Sequence, residues 1–163
     1  MKTNKNYENA QIVHFNKDNE EHRQAFLNLN LEWLEKYFDV AELHKEVLLH
    51  PEETIIKNDG FILLAKFNDK IVGTGAISQA KDGNYELNKV CITETYRGFG
   101  LGKKIVLSLI ELAKEQRIKK IYLISSNKLT SALALYKKLG FIESKENRHQ
   151  YTKRADVTME LTL

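Results

Sequence analysis

A glycine-rich turn between a strand and a helix is the segment with the clearest capacity for chemistry. It runs from Val90 to Lys103, reads VCITETYRGFGLGK and carries glycines at 98, 100 and 102. The first N–H groups of a helix lack partners inside the helix, and the helix dipole adds partial positive charge there. Glycines let an anion approach those N–H groups without a Cβ in the way. The pattern therefore predicts a phosphate cradle, with Arg97, Lys103 and Lys104 beside it.

Two familiar nucleotide cradles do not fit this spacing. A dinucleotide fold needs Gly-x-Gly-x-x-Gly and an acid about twenty residues later, where this chain has Ile121-Tyr122-Leu123. A P-loop needs four residues between its glycines and Ser or Thr after its lysine, whereas three residues separate Gly98 from Gly102 here and Lys104 follows Lys103. Nucleotide binding is therefore disfavoured, and a tight turn without a ligand remains an alternative explanation of the glycines.

Two motifs in this region resemble those of the GNAT superfamily of N-acetyltransferases. Arg97 to Gly102 (RGFGLG) matches R/Q-x-x-G-x-G/A, and Ala132 to Phe141 (ALALYKKLGF) is close to A-x-x-L-Y-x-x-x-G-F. The resemblance is dense over 84–142 and weaker over 60–80. It implies direct acetyl transfer from acetyl-CoA, or a related acyl-CoA, to a primary amine of a small molecule or peptide. The competing hypothesis is a non-enzymatic acyl-CoA-binding module.

The resemblance also implies where the donor lies. Backbone amides after Arg97 would hold its pyrophosphate, and the pantetheine arm would pair with strand residues 90–92. The residues given a donor-binding role are Val90, Cys91, Ile92, Arg97, Gly98, Phe99, Gly100, Leu101, Gly102 and Lys103. The family often has Asn seven residues before the signature Tyr, where this chain has Leu129. Asn127 is therefore a further candidate contact to the arm, or alternatively a turn or cap before the next helix.

Two residues are candidates for proton chemistry. Tyr136 matches the family's thiolate-facing Tyr, and a phenol can donate a proton or a hydrogen bond to sulfur. Glu86 is the candidate general base, acting directly or through a water, because several GNAT enzymes place a Glu there. The alternative roles are a packed helix aromatic for Tyr136 and an ordinary surface carboxylate for Glu86. A backbone N–H near Val90 or Cys91 would polarise the thioester carbonyl.

Other reactive residue types indicate little further chemistry. Cys91 has no neighbouring base in the sequence, so a buried structural role is favoured over a covalent acyl-enzyme. The five histidines show no metal-ligand spacing, and a single cysteine excludes a cysteine-built zinc site. We expect no metal. His149, in a polar loop, and Trp33, Tyr37 and Phe38, on the first long helix, are weaker candidates for contact with the acceptor.

These residues require a particular order of helices and strands. A helix over 20–38 is expected to begin at a cap on Asp18, and Asn68-Asp69 and Asp82-Gly83 predict hairpin turns. The predicted strands are 10–16, 61–67, 70–80, 84–92, 119–126, 141–146 and 155–162, and the predicted helices are 20–38, 40–49, 51–58, 100–116 and 130–139. The crossover from 84 to 126 predicts one parallel strand pair. We therefore expect an α/β GNAT fold, with a mixed, mostly antiparallel sheet of about seven strands, flanking helices and the parallel pair at the acyl-CoA cleft.

Composition limits the function classes. The chain has 163 residues, 42% of them hydrophobic and 29% charged, with a formal net charge of +3. That profile is typical of one soluble domain, here 1–163 with a loose stretch over 1–9. It lacks the dense positive charge of a nucleic-acid binder and any apolar run long enough for a membrane span. We expect a cytoplasmic protein with no nucleic-acid or membrane partner, and the oligomeric state, including a homodimer, stays open.

Overall fold

A computed structural model describes residues 9–37, 45–151 and 154–163. Within these ranges the chain forms one seven-stranded sheet with helices on both faces. The strands are β1 (Gln11–His14), β2 (Phe61–Phe67), β3 (Lys70–Gln79), β4 (Tyr85–Ile92), β5 (Lys120–Ser125), β6 (Ile142–Glu143) and β7 (Val157–Thr162). The helices are α1 (Glu20–Tyr37), α2 (Lys45–Leu49), α3 (Pro51–Thr54), α4 (Leu101–Glu115) and α5 (Thr130–Lys138).

The sheet has the mixed direction predicted from the sequence. Its spatial order is β1-β2-β3-β4-β5-β7-β6, and every neighbouring pair is antiparallel except β4–β5. The parallel pair arises because α4 crosses over between its two strands, as the order of elements requires. Asn68 and Asp69 have φ values of 48° and 61°, and Gly83 has a φ of 85°. Both predicted hairpin turns are therefore confirmed.

Side-chain alternation along the strands builds two cores, one on each face of the sheet. In β2, Ile62 and Leu64 pack with α1 on one face, whereas Leu63 and Ala65 pack with α4 on the other. Gly75 in β3 lets α4 approach closely, since a Cβ there would lie 2.5 Å from the Ile105 side chain. We call the two sides the α1 face and the α4 face. The side chains of α5 also pack on the α4 face.

Several predicted boundaries need correction. The Asp18 cap was wrong: the Asn19 side chain accepts a hydrogen bond from the His22 N–H at 3.2 Å, and the helix begins at Glu20. The strand predicted over 141–146 is only Ile142–Glu143. The helix predicted over 51–58 divides into α3 and a 3-10 turn at Ile56–Asn58.

Three sequence predictions fall partly outside the described residues. They are the loose first residues, of which 1–8 are not described, the beginning of the helix over 40–49, and the acceptor-side role of Phe38. No helix in the described ranges is both long and apolar enough to cross a membrane.

Candidate functional site

A cavity of about 600 Å³ opens where β4 and β5 separate. The parallel register between these strands covers Tyr85 with Ile121 and Glu86 with Tyr122. Beyond that point β4 continues to Ile92 and β5 to Ser125, and the cavity lies between them. Its walls come from α1, Leu48 of α2, β4, β5, the start of α5 and the segment before β7. A small molecule or an extended ligand arm fits a space of this size.

A bulge in β4 shapes the cavity wall. Cys91 lies opposite Thr74 and Asn88 opposite Ala76, so Lys89 and Val90 share the single residue between those partners on β3. Lys89 has a φ of 55°, which is uncommon for a non-glycine residue. Because of the extra residue, Leu87 and Val90 both contact the α4-face core. Glu86 and Asn88 consequently belong to the α1 face.

Tyr136 lies in the cavity wall, on α5. Its ring packs edge-on against Phe141, with centroids 5.7 Å apart, which fixes its orientation. Burial, together with the nearby Cys91 thiol, raises the pKa of Tyr136 to about 12. The phenol is therefore protonated throughout the physiological range and can act as a hydrogen-bond donor.

Glu86 lies in the same wall, and its register partner on the neighbouring strand β5 is Tyr122. The Tyr122 hydroxyl donates a hydrogen bond of 3.4 Å to Oε2 of Glu86. Burial raises the pKa of Glu86, although Lys89 and the hydroxyl of Tyr122 act in the opposite direction. A carboxylate with a raised pKa at a cavity wall is suited to accept a proton from a ligand near neutral pH.

The glycine-rich loop has the open backbone expected of an anion cradle. Gly98 and Gly100 have φ values of 81° and 84°, and a Cβ built at either position would meet nothing within 4 Å. Gly100 is the N-cap of α4 and has no side chain to satisfy the first N–H groups of the helix. Leu101 is buried and anchors this end of α4, whereas Phe99 and Lys103 are exposed. The loop lies at the end of β4 and does not line the cavity itself.

The sequence predicted that the Arg97 side chain flanks the cradle, and in the structure this side chain contacts β4 and α1. Its Nε donates a hydrogen bond to the Ile92 carbonyl at 2.7 Å, and its Nη2 lies 3.8 Å from Oε1 of Glu32 on α1. Lys104, also predicted to flank the cradle, donates to the carbonyl of Ala10. These two side chains therefore connect the loop region to β4, α1 and the residue before β1.

Four further residues were predicted to contact the donor, and they differ in whether they line the cavity. Val90 lines the cavity, and Ile92 packs on the α4 face. Cys91 is buried among α1-face residues, and burial raises the pKa of its thiol to about 12. Asn127 is exposed and outside the lining, although its backbone N–H donates to Asp156 at 2.7 Å. Both of its sequence neighbours line the cavity, so Asn127 lies at its edge.

The weaker candidates for contact with the acceptor also differ in whether they line the cavity. Trp33 and Tyr37 of α1 line the cavity, with their ring centroids 5.7 Å apart. The ring of His149 makes a 2.8 Å hydrogen bond with the Thr158 hydroxyl and lies outside the lining. In the described part of the chain, no group of three or more His, Cys, Asp or Glu side chains could hold a metal ion.

Sequence reasoning missed the cationic side chains of the cavity, namely Lys89, Lys128, Arg148 and Arg154. Arg148 and Arg154 come from the segment before β7, a strand that the sheet order places beside β5, and both line the cavity between β4 and β5. For Arg148 the sequence signal was the polar run from Glu143 to Lys153, which is also typical of an exposed loop.

Comparison with known proteins gives a match to the model of the acetyltransferase (GNAT) family over residues 27–141. YjgM, an uncharacterised N-acetyltransferase of Escherichia coli strain K12, is 35% identical over 81 residues, which are 48% of this chain and 48% of that protein. The match therefore spans about half the length of that relative.

Solved structures share the fold over nearly the whole chain. A GNAT-family acetyltransferase from Staphylococcus aureus MU50 has a TM-score of 0.82 and 23% identity, with 94% of this chain and 99% of that chain covered. A GNAT-family acetyltransferase from Elizabethkingia anophelis, solved with acetyl-CoA bound, has a TM-score of 0.70 and 19% identity, with 96% and 99% covered. At these identities the likeness shows the fold alone.

Proposed function

Because this chain belongs to the acetyltransferase (GNAT) family, we propose that it transfers an acetyl group from acetyl-CoA directly to a primary amine of a small molecule or peptide. The observation that carries the proposal is the juxtaposition of an open glycine cradle at the start of α4 with a cavity between β4 and β5. That arrangement suits a ligand with a diphosphate at one end and a reactive group on a narrow arm at the other.

The cradle fits the phosphates of acetyl-CoA. Gly98 and Gly100 leave space where any other residue would place a Cβ, and the backbone N–H groups at the start of α4 provide donors and a positive dipole end. Val90 lines the cavity on the stretch of β4 that extends past the β5 register, and the pantetheine arm would pair with the backbone there. Acetyl-CoA would supply the activated acetyl thioester.

Glu86 and Tyr136 are assigned different roles: Glu86 removes a proton from the amine, and Tyr136 stabilises the leaving sulfur. Glu86 accepts the proton from the attacking ammonium, directly or through a water, which leaves the amine nitrogen free to form the new C–N bond. A backbone N–H at the β4 bulge, at Val90 or Cys91, donates to the carbonyl oxygen as negative charge develops on it. The nitrogen of the tetrahedral intermediate then loses its second proton to solvent, the C–S bond breaks, and the electron pair of that bond remains on sulfur.

Tyr136 stabilises the departing sulfur by donating a hydrogen bond. With its pKa at about 12, complete proton transfer to a thiolate whose acid has a pKa of about 8.5 would be uphill by on the order of 5 kcal/mol. The hydroxyl therefore remains protonated, and the thiolate takes its final proton from solvent. The same high pKa makes Tyr136 an unsuitable base, which leaves that role to Glu86.

The competing function, a non-enzymatic acyl-CoA-binding module, would use the cradle alone. The presence of Glu86 and Tyr136 in one cavity wall favours an enzyme, since donor binding requires neither a half-buried carboxylate nor a half-buried phenol there.

The test combines donor binding with turnover. Acetyl-CoA at a hundred times its dissociation constant should stabilise the folded protein by about 2.7 kcal/mol, whereas ATP at the same concentration should leave the Tm unchanged. Release of free thiol should then require a primary amine. An unchanged Tm with acetyl-CoA would exclude the donor. A shifted Tm without thiol release from any amine of a broad library would support the binding module instead.

A further inference from the structure

The hydroxyl of Tyr122 contacts the candidate base from outside the cavity. We propose that Tyr122 is a positioning residue for the reaction: its hydroxyl holds one carboxylate oxygen of Glu86, and the guanidinium of Arg148 holds the Tyr122 ring in place. This inference rests on the proposed function, because it concerns the residue to which proton transfer is assigned. Neither Tyr122 nor Arg148 belongs to the motifs of the glycine-rich loop or of α5.

The register of the parallel strand pair brings the phenol and the carboxylate together. Glu86 of β4 lies opposite Tyr122 of β5, and the Tyr122 hydroxyl is 3.4 Å from Oε2 of Glu86. Glu86 lines the cavity, whereas Tyr122 is buried and is not among the described residues that line it. A ligand in the cavity can therefore meet the carboxylate without touching the phenol, so we expect Tyr122 to act on the reaction through Glu86.

The phenol of Tyr122 is in the protonation state that donates. Burial and the negative charge of Glu86 raise the pKa of Tyr122 to about 12, while the positive charge of Arg148 opposes that shift. The hydroxyl therefore keeps its proton throughout the physiological range and donates to the ionised carboxylate, which can only accept. A hydrogen bond of this kind favours the charged form of Glu86, and the charged form is the one that a general base needs.

Arg148 restricts the position of the Tyr122 ring. Its guanidinium lies 4.2 Å from the ring centroid, a distance at which a cation and an aromatic face attract each other. Two acids hold the guanidinium in turn: Nη1 lies 3.0 Å from Oδ2 of Asp82 in the β3–β4 turn, and Nε donates to Glu146 at 3.0 Å. The Arg148 side chain is only 19% exposed, so solvent reaches little of it. The ring therefore packs against a cation that is itself fixed, which limits the positions open to its hydroxyl.

Several groups besides Tyr122 act on the Glu86 carboxyl. Burial raises its pKa, and Lys89, Tyr122, Asn88 and Arg148 act in the opposite direction. The other described titratable residues of the cavity lining come from α1, α5 and the segments that precede α5 and β7; they are Tyr37, Tyr136, Lys128 and Arg154. Tyr122 gives the most selective test, because a Tyr-to-Phe substitution removes one hydroxyl and leaves every charge in place.

The experiment measures kcat/KM against pH for Tyr122→Phe. Loss of the hydrogen bond should raise the pKa of Glu86, so the acidic limb of the profile should move to higher pH by about half to one pH unit. Above the limb, kcat should fall several-fold, because the carboxylate lacks the bond that orients it. KM for the amine and the Kd for acetyl-CoA should stay nearly unchanged, since Tyr122 is outside the described cavity lining. An unchanged acetyl-CoA-induced rise in Tm shows that the variant is folded.

Two controls separate positioning from packing. Tyr85→Phe removes a hydroxyl from the residue before Glu86, whose side chain packs on the α4 face, and it should leave the limb in place. In the Glu86→Gln background, Tyr122→Phe should reduce kcat/KM no further, because the hydroxyl then has no base to position. A packing role for Tyr122 would instead lower activity at every pH in both backgrounds. An acidic limb that stays in place in Tyr122→Phe would overturn the inference.

A double variant tests the role assigned to Arg148. Asp82→Asn combined with Glu146→Gln removes both acids that hold the guanidinium, and neither position lies in the described cavity lining. Loss of two negative charges would by itself lower the pKa of Glu86, so an acidic limb that moves to higher pH identifies a displaced Tyr122 ring. A limb that stays in place or moves to lower pH would remove Arg148 from the inference.

A readout without turnover separates this inference from the proposed function. Carbon-13 NMR of protein labelled at the Glu carboxyl carbons follows the titration of Glu86, whose signal is the one missing in Glu86→Gln. Its midpoint should rise in Tyr122→Phe and stay unchanged in Tyr85→Phe. If it does not rise, the positioning role is wrong although acetyl transfer stands. If acetyl-CoA neither binds nor reacts, the proposed function itself fails, and the titration still reports whether Tyr122 holds Glu86.

Discussion

The Nε of Arg97 donates a hydrogen bond to the carbonyl oxygen of Ile92 at 2.7 Å, so this side chain turns back onto the strand that precedes the glycine-rich loop. Glu32 of α1 lies beside it and accepts hydrogen bonds from the Thr93 hydroxyl and, at 3.0 Å, from the Glu94 N–H. A carboxylate that accepts several donors at once restricts the backbone that carries them. Helix α1 thus holds the beginning of the proposed donor loop.

Replacing Glu32 should weaken donor binding without touching the donor. In Glu32→Ala the N–H of Glu94 and the hydroxyl of Thr93 lose their acceptor, so we expect the Kd for acetyl-CoA to rise several-fold and the free energy of unfolding to fall by about 1 kcal/mol. Calorimetric titration and thermal melts measure the two effects. Glu35→Ala is the matched control, since Glu35 is an exposed acid on the same helix. Equal donor affinity in both variants would show that α1 does not hold the loop.

A side chain at Gly100 should block the cradle. Gly100→Val places a Cβ in open space where the phosphates are proposed to lie, and it also forces a β-branched residue to a φ of 84°. We expect acetyl-CoA binding to fall below detection by calorimetry.

Gly83→Val separates that steric effect from backbone strain. Gly83 has a φ of 85° and equally open surroundings, but it lies in the β3–β4 turn, away from the loop. This variant should lose comparable stability, on the order of 1–2 kcal/mol, and retain its donor affinity. Similar losses of binding in the two variants would remove the evidence for the cradle.

Tyr136→Phe should lower kcat and leave the Kd for acetyl-CoA nearly unchanged. The hydroxyl is proposed to stabilise sulfur only as the C–S bond breaks, and loss of one such donor costs about 100-fold in kcat. Steady-state kinetics and calorimetry give the two constants. Tyr85→Phe removes a hydroxyl from β4 outside the cavity lining and should leave kcat unchanged. A Tyr136→Phe enzyme with normal kcat would make Tyr136 a packing residue.

Features formed by residues that are close together in the sequence could be predicted from it, whereas contacts between residues that are far apart in the sequence could not. The cradle, the crossover helix and the two hairpin turns follow from residues within a few positions of one another, such as Gly98 and Gly100 or Asn68 and Asp69. The bulge at Lys89 depends on the register with β3, which no pattern within β4 reports. The contact of Glu32 with Glu94 spans 62 positions, and sequence spacing carries no signal for it.

The pH dependence of acetyl transfer should report the raised pKa of Glu86. Only the carboxylate can accept a proton, so kcat/KM should rise with pH and reach half its maximum above 4.5, the ordinary pKa of a Glu side chain, because burial raises the value here. The folded state also binds this proton more tightly than the unfolded chain does. The contribution of Glu86 to stability therefore decreases as pH increases from 4.5 through the raised pKa.

Glu86→Gln tests this assignment directly. Loss of the base should reduce kcat/KM by about 10²–10⁴-fold and remove the acidic limb of the profile. Glu111→Gln, on the exposed surface of α4, should change neither. Retention of the limb in Glu86→Gln would assign the proton transfer to another group.

Cys91 should prove unreactive and dispensable for transfer. With its pKa at about 12, only about one thiol in 10⁴ is ionised at pH 8, so alkylation of the folded protein by iodoacetamide should be slow and become complete in guanidinium chloride. Under the proposed direct transfer to the amine, Cys91→Ala should keep kcat within a few-fold while losing about 1–2 kcal/mol of stability from the α1-face core. Mass spectrometry of protein quenched during turnover checks the same point. An acetyl group on the peptide containing Cys91, together with loss of activity in Cys91→Ala, would replace direct transfer by a covalent route.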